Sequence, residues 1–323
     1  MTESLLHVED LRAEFDTPEG VAHVLDGIEL RLAPGEILGI VGETGSGKSV
    51  TALSIVRLLR PPGRITGGRV TFERQDLLAL PAGAMRRVRG RAISMIFQNP
   101  RSSLNPVLRI GQTLREVLKV HLGLTGAEAE RHAAQLLGDV GLPDPATLLG
   151  RYPHQLSGGM AQRVMIALAL APEPRLLIAD EPTTALDVTI QYQIITLLAR
   201  LRQERGLAQI VITHNLGVVA ELCDRVAVLY AGTVVEEGPV EAIFDEPRHP
   251  YTLGLLAARA RTDVSGHLAS IPGQVPDLRR RPTGCPFHPR CAWAQDVCRA
   301  EKPVLDSVRA GHRVACHFWR EVA

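Results

Sequence analysis

The sequence predicts an α/β fold with a largely parallel sheet and helices on its faces. Short apolar runs typical of strands occur at residues 176–179, 210–213 and 226–230, and helical stretches such as residues 188–205 separate them. Strands that alternate with helices favour a parallel sheet, because each crossover places a helix on a sheet face. A further apolar run, residues 36–41, leads into a glycine-rich turn, as strands of such sheets often do.

The elements before this alternation are mostly strands, and a helical block follows them. We predict strands at residues 5–15, 22–32 and 92–97, and a helix at residues 47–59 that ends at a Pro-Pro-Gly sequence. Residues 110–149 show helical spacing of apolar side chains, which indicates a helical insertion into the sheet domain.

Composition divides the chain further. Its 323 residues exceed the roughly 150 of a typical domain. Beyond Arg248 prolines cluster, and four of the five cysteines follow. We therefore predict a main domain at residues 1–247, with a helical subdomain at about 100–172, and a small cysteine-rich C-terminal extension at residues 248–323.

Charge and hydropathy exclude some partners and locations. The chain has 36 Lys and Arg against 35 Asp and Glu, and its net charge of +1 is too small to attract nucleic acid. We therefore expect no nucleic acid as a partner. Its longest stretch without a charged side chain, residues 206–220, is shorter than the roughly 20 apolar residues of a membrane helix. The N-terminus lacks the pattern of a secretion signal, so we expect a cytosolic protein.

Residues 42–49 match the pattern G-x-x-x-x-G-K-[ST] between a predicted strand and a predicted helix, and we call them the phosphate loop. Glycines let such a backbone wrap closely, so its N–H groups can donate to phosphate oxygens. Lys48 would reach the β- and γ-phosphates, and the Ser49 hydroxyl would coordinate Mg²⁺. The strand–loop–helix context favours this interpretation over a flexible turn. The predicted nucleotide-binding residues here are Gly42, Glu43, Thr44, Gly45, Ser46, Gly47, Lys48, Ser49 and Val50.

Polar residues at the ends of three predicted strands are the candidates for catalysis. Asp180 and Glu181 end one strand, where Asp180 could coordinate the Mg²⁺ and Glu181 could act as general base on the attacking water. His214 follows another strand and could contact the γ-phosphate or position the water. Gln98 follows a third and could touch the Mg²⁺ or the water.

A second candidate anion site is the signature turn, residues Ser157, Gly158 and Gly159, which precedes a helical stretch to Ala171. The simpler interpretation is an ordinary N-cap by Ser157. One chain with one phosphate loop does not need a second anion site. Two chains packed head to tail would need such a site, because each signature turn could then close over the partner's nucleotide.

This set of motifs, in this order, resembles the nucleotide-binding subunits of ATP-binding cassette (ABC) transporters. The phosphate loop corresponds to their Walker A motif, Asp180 and Glu181 to Walker B, Gln98 to the glutamine loop, and His214 to the switch histidine, with a D-loop at residues 185–187. The resemblance implies the ABC-type P-loop NTPase fold and ATP hydrolysis with Mg²⁺. It also implies an ATP-sandwich dimer whose closure and reopening drive a membrane domain.

A narrower resemblance, to the dipeptide/oligopeptide importer branch, lies in residues 97–106, 156–167, 249–252 and 284–291. It implies an ATPase peripheral to the cytoplasmic membrane face that powers peptide import. The implied partners are two membrane-spanning permease subunits, a second ATPase subunit and a solute-binding protein. Close relatives import nickel, so a nickel or other solute importer is an alternative. A second alternative is a soluble ABC ATPase that serves ribosomes or DNA repair. The single cassette and the short helical insertion count against this alternative.

The C-terminal cysteines form a candidate metal site. Cys285, Cys291, Cys298 and Cys316, here called the cysteine group, are separated by five, six and seventeen residues. Disulfides are rare in cytosolic proteins, and no C-x₂₋₄-C pair typical of zinc is present. The spacing favours a [4Fe–4S] cluster, which also takes four thiolates, with zinc or free thiols as alternatives. Cys223 stands apart, and we expect it to be a small apolar residue of the core.

Overall fold

The computed structural model describes residues 4–260 and 271–322. Its contacts divide the chain into two compact units. The first unit comprises Met1–Ala33, Ile37–Ala79 and Ile212–Ala323, and the second Pro34–Glu36 and Leu80–Val211. Because the C-terminal extension lies in the first unit, these units differ from the division that the sequence suggests.

In the described part of the chain, the strands are β1 (Leu6–Thr17), β2 (Gly20–Leu32), β3 (Ile37–Val41), β4 (Gly63–Phe72), β5 (Gln75–Asp76), β6 (Ile93–Ile96), β7 (Leu176–Asp180), β8 (Ala208–Ile212), β9 (Arg225–Tyr230), β10 (Thr233–Pro239), β11 (Asp306–Arg309) and β12 (His312–Val314). The helices are α1 (Lys48–Ile55), α2 (Ala82–Val88), α3 (Pro100–Ser103), α4 (Ile110–Leu122), α5 (Gly126–Asp139), α6 (Pro145–Leu149), α7 (Gly158–Leu170), α8 (Val188–Arg205), α9 (Leu216–Leu222), α10 (Val240–Asp245), α11 (Pro250–Ala260) and α12 (Asp296–Ala300), with 3₁₀ turns at Pro153–Gln155 and His288–Arg290.

The first unit contains an antiparallel sheet in the order β2–β1–β4–β5. Strands β1 and β2 form a hairpin whose register runs from Leu6 opposite Leu32 to Thr17 opposite Gly20. Along β1 the buried Val8, Leu11 and Ala13 are interrupted by exposed residues, as in a strand with one face on the core.

A second group of strands in this unit leads to the phosphate loop. Strands β11, β12, β10, β9 and β3 lie side by side in that order, and β3 and β9 are parallel. All five residues of β3 are buried, which explains why its sequence is a continuous apolar run rather than an alternating one. The phosphate loop and α1 follow directly.

The second unit contains β8, β7 and β6 in that order, with β6 and β7 parallel from Ile93 opposite Leu176. All five residues of β7 are buried. The predicted insertion forms α4, α5 and α6, and α8 has the bounds that the sequence predicts. The mixed sheet with inserted helices is the predicted fold class.

Helix α1 is shorter than predicted and ends at Ile55 rather than Leu59. Arg57 has a φ of 52°, in the left-handed region. The Leu58 N–H donates to the Leu53 carbonyl at 2.7 Å, and the Arg57 N–H donates to Ser54 at 3.0 Å. This is a Schellman end, which terminates the helix before the prolines are reached.

The C-terminal extension is fastened to the first unit at the fully buried carboxylate of Glu236 on β10. Glu236 accepts hydrogen bonds from the backbone N–H groups of Arg248 at 2.6 Å and His249 at 3.0 Å. Its Oε1 also lies 2.8 Å from Nε2 of His312 on β12. Burial lowers the pKa of His249 to about 4, so this neighbouring ring is neutral at pH 7. One carboxylate thus joins β10, β12 and the start of α11.

We expect Glu236→Gln to lower the free energy of unfolding by about 1–3 kcal/mol, because the amide NH₂ would leave a buried N–H without an acceptor. Urea unfolding measures this. The matched control is Glu246→Gln, because Glu246 is 53% exposed and forms surface ion pairs with Arg248 and Arg309; this change should cost less than about 1 kcal/mol. Equal midpoints for the two variants would contradict the assignment.

Candidate functional site

The phosphate loop has a backbone that only glycine adopts readily. Gly42, Gly45 and Gly47 have φ values of 152°, 84° and 101°. A Cβ on Gly42 would lie 2.2 Å from the carbonyl oxygen of Leu229, and one on Gly47 would lie 2.9 Å from the Leu25 side chain. Gly42 and Gly47 are therefore required for space as well as for conformation, and Gly45 for conformation alone.

Lys48 supports the loop from within. Its ammonium donates to the carbonyl oxygens of Gly42 at 2.7 Å and Glu43 at 3.0 Å, and the side chain is buried. Among residues 4–260 and 271–322, the buried Ser46 hydroxyl has no hydrogen-bond partner, and a Cβ on Gly45 would meet no atom within 4 Å. A buried unpaired donor and an open face at the start of a helix fit the binding of a phosphate group.

His214 and three residues of the phosphate loop line one cavity. The loop residues are Gly42, Glu43 and Thr44, and the cavity volume is about 790 Å³. The next residue, Asn215, caps α9 by accepting a hydrogen bond from the Gly217 N–H at 2.9 Å. This cap fixes the course of the chain directly after the histidine. The rest of the cavity lining consists of Val41, Asn215, Leu216, Leu255, Ala258 and Val275.

In the second unit, β7 delivers the two predicted acids. Asp180 and Glu181 are 6% and 8% exposed. Glu181 has a φ of 51°, which is strained for a residue with a side chain, and such strain is concentrated at functional sites. Its Oε2 accepts a hydrogen bond from the Thr184 hydroxyl at 2.9 Å, which fixes the direction of the carboxylate.

The signature turn begins α7. The exposed Ser157 caps this helix, because its Oγ accepts a hydrogen bond from the Met160 N–H at 3.3 Å. A Cβ on Gly159 would lie 2.9 Å from Ile190 Cγ2, so the turn packs closely against the first turn of α8. Asp187 caps α8 by accepting from the Ile190 N–H at 2.9 Å. The signature turn and the D-loop are therefore held against each other.

The predicted site residues are shared between the units. The phosphate loop, Val50 in α1 and His214 belong to the first unit. Gln98, which is exposed and follows β6, belongs to the second, as do the signature turn and the two acids.

Sequence reasoning missed two residues that contact the phosphate loop. The Tyr251 hydroxyl accepts a hydrogen bond from the Glu43 N–H at 2.7 Å. The Arg290 guanidinium donates to both carboxylate oxygens of Glu43, at 2.7 and 3.1 Å. Both residues lie in the C-terminal extension that the sequence predicts, and nothing in their spacing indicates a contact with the loop.

The cysteine group comes together in the first unit, and the Cys285 N–H donates to the Cys298 carbonyl at 2.8 Å. Burial, together with the smaller effect of the other thiols of the group, raises the pKa of Cys285 to about 11 and that of Cys316 to about 12. All five cysteines are free. Within residues 4–260 and 271–322, no group of three or more His, Cys, Asp or Glu side chains is arranged to hold a metal ion. The predicted iron–sulfur or zinc site is therefore without support in the structure.

Cys223 packs against the core of the first unit, as expected. Its sulfur lies 3.0 Å from the position that a Cβ on Gly39 would take, and burial raises its pKa to about 12. Among the helices of the described segments, none combines the length and hydropathy needed to cross a membrane.

Two family profiles match the chain. The ABC transporter profile matches residues 25–184, and the profile of the oligopeptide/dipeptide transporter C-terminal region matches residues 235–298. The first contains the phosphate loop, Gln98, the signature turn and the acids. The second contains His249, Tyr251, Arg290 and three members of the cysteine group.

Similar proteins extend this match to almost the whole chain. Proteins of Brucella abortus (strain 2308) and Brucella suis, provisionally named peptide import ATP-binding proteins, are 49% identical over 98% of this chain and 95% of their own length. A dimeric ATP-binding cassette bound to ADP and Pi has a TM-score of 0.66 and 28% identity over 73% of this chain and 98% of its own.

A component of the CbiONQ ABC transporter complex of Clostridium perfringens has a TM-score of 0.65 and 29% identity over 76% of this chain and 92% of its own. The fold, the ordered motifs and the near full-length similarity agree with one another. The chain belongs to the ATP-binding proteins of ABC transporters and is an ATPase that uses ATP and Mg²⁺.

Proposed function

We propose that this chain is the ATP-hydrolysing subunit of an importer for di- and oligopeptides. The observation that carries the proposal is that a complete set of ABC motifs and an oligopeptide-type C-terminal region occur in one chain. Relatives that are 49% identical over 98% of the chain are named for peptide import. The functional division at residue 247, between cassette and extension, belongs to the same proposal.

On this proposal the phosphate loop and Asp180 hold the substrate. The backbone N–H groups of the loop donate to phosphate oxygens, and the Lys48 ammonium balances the β- and γ-phosphate charge. The Ser49 hydroxyl and the Asp180 carboxylate hold Mg²⁺, with Gln98 as a further contact. When bound, Mg²⁺ neutralises charge that develops on the transferred phosphoryl group. The Ser46 hydroxyl is a further donor, because it has no partner within the described protein.

The remaining site residues act on the water and the γ-phosphate. Glu181 accepts the proton of the attacking water, and its hydrogen bond from Thr184 keeps the carboxylate in one orientation. His214, at the cavity beside the phosphate loop, positions the water or contacts the γ-phosphate. Gln98 senses the nucleotide from the end of β6.

The proposed assembly completes the site between two chains. The signature turn of each ATPase subunit closes over the nucleotide of the other, with Ser157 as an exposed donor at a helix N-terminus. The other partners are two membrane-spanning permease subunits and a solute-binding protein. The ATPase is peripheral to the cytoplasmic face of the membrane.

We expect Glu181→Gln to slow ATP turnover by about 10²–10⁴-fold while ATP binding is retained, because only the proton acceptor is lost. Phosphate release and ATP binding are measured on the same preparation. Glu204→Gln on α8 is the matched control, since Glu204 is exposed and forms a surface ion pair with Arg200. Near-normal turnover of Glu181→Gln would show that Glu181 is not the general base.

Purification of the tagged chain from gently solubilised native membranes tests the importer assignment. We expect it to bring down two permease subunits, a second ATPase and a solute-binding protein that carries a peptide. A binding protein loaded with nickel would support the nickel importer instead. Recovery of only ribosomal or DNA-repair components would contradict a role in transport and leave the ATPase chemistry standing.

We also propose that the cysteine group binds a [4Fe–4S] cluster. The support is the number and spacing of the thiols and their collection in one region of the first unit. Because burial keeps the Cys285 and Cys316 thiols protonated, loading would have to release their protons and rearrange the sulfurs.

Iron, zinc and sulfide analysis of anaerobically purified protein tests this proposal. We expect about four iron atoms per chain, lost in Cys298→Ser and retained in the control Cys223→Ser. Stoichiometric zinc without iron would contradict the cluster, and four titratable thiols without metal would contradict any metal centre.

A further inference from the structure

We propose that Arg290 is a positioning residue for the phosphate loop and that the C-terminal extension thereby sets the affinity of this chain for ATP. This inference rests on the phosphate-binding role proposed for residues 42–49. It assigns to the extension an effect on the nucleotide site of its own chain, which is separate from any effect on transport.

The first contact is the ion pair between Arg290 and Glu43. The guanidinium donates to Glu43 Oε2 at 2.7 Å and to Oε1 at 3.1 Å, which is the bidentate geometry that gives arginine its specificity for carboxylates. It also donates to the carbonyl oxygens of Pro272 at 2.8 Å and Ile271 at 3.1 Å. With its side chain only 4% exposed, Arg290 is fixed from two directions.

The second contact holds the backbone of the same residue. The Glu43 N–H donates to the hydroxyl of Tyr251, which is fully buried. The Tyr251 ring packs against those of Tyr230 and Phe287, with centroids 4.6 and 5.4 Å apart, and Tyr230 meets Phe287 edge to face. Two parts of the C-terminal extension therefore hold residue 43: α11 binds its amide, and the 3₁₀ turn at His288–Arg290 binds its carboxylate.

Glu43 transmits this restraint to the residue proposed to bind phosphate. The carbonyl oxygen of Glu43 accepts a hydrogen bond from the Lys48 ammonium at 3.0 Å. The carbonyl oxygen of the preceding residue, Gly42, accepts a second hydrogen bond from the same ammonium at 2.7 Å. A shift of residue 43 would therefore displace the acceptors that orient Lys48. Small displacements of a charged group at a site of this kind are costly for binding.

Other basic residues of the extension have a different role. Arg281 and Lys302 both form ion pairs with Asp26 on β2, at 2.9 and 2.7 Å. They fasten the extension to the antiparallel sheet, and Arg281 also donates to the carbonyl oxygens of His23 and Ala231. These partners, residues 23, 26 and 231, lie outside the phosphate loop. Arg281, with its side chain 15% exposed, is a matched control for Arg290 because it is also a buried arginine in an ion pair.

The test compares the full-length chain with Arg290→Gln, Glu43→Gln, the double variant and Arg281→Gln. Equilibrium dialysis gives the Kd for Mg-ATP, steady-state kinetics give KM and kcat, and thermal unfolding gives Tm. We expect each single change at the ion pair to raise Kd and KM by about tenfold, with a much smaller change in kcat. The double variant should bind no more weakly than either single variant, because both remove the same interaction.

Arg281→Gln should lower Tm by a similar amount to Arg290→Gln and leave Kd unchanged. Unchanged Kd in Glu43→Gln, additive losses in the double variant, or an equal loss of affinity in Arg281→Gln would each overturn the proposal. Glu43→Gln keeps the test valid if Arg290→Gln does not fold, because Glu43 is partly exposed and the change is isosteric. Lys48→Ala separates the two proposals, since unchanged ATP binding in that variant would refute the phosphate loop itself.

Discussion

The proposed function depends on one constraint, which is that the phosphate loop must present its backbone N–H groups to an anion and still be held firmly. Gly42, Gly45 and Gly47 supply the positive φ angles, and the close approach of Gly42 to Leu229 leaves no room for a side chain. The fully buried β3 fixes one end of the loop and α1 fixes the other. Lys48 bonds to the loop carbonyls and ties the two ends together.

In the proposed mechanism, the residues of the second unit are also held by rigid elements. The buried strand β7 ends in two carboxylates, and the strained backbone and the Thr184 hydroxyl fix the direction of Glu181. The signature turn is held by the cap of Ser157 and by the packing of Gly159 on α8. Rigid elements thus place the polar groups before any nucleotide arrives, which is what electrostatic catalysis requires.

Features encoded within a few neighbouring residues could be predicted from the sequence. The phosphate loop, the two acids and the Ser157 cap each depend on residue types at short spacing. The end of α1 could not be predicted, because the residue in the left-handed conformation there is Arg57 rather than the glycine typical of such helix ends. The ion pair between Glu43 and Arg290 joins residues 247 positions apart and depends on the folded first unit. The cysteine spacing predicted that the thiols would lie close together. It does not determine how their sulfur atoms are oriented, and the metal assignment therefore stays a proposal.

The most direct measurement is an experimental structure of the full chain with Mg²⁺ and a non-hydrolysable ATP analogue. We expect phosphate oxygens within hydrogen-bond distance, roughly 2.7–3.2 Å, of the N–H groups of residues 42–49, with the pair between Glu43 and Arg290 still formed. Triphosphate bound away from this loop would contradict the account of the site. A filled loop with Glu43 released from Arg290 would contradict the role of the extension in holding it.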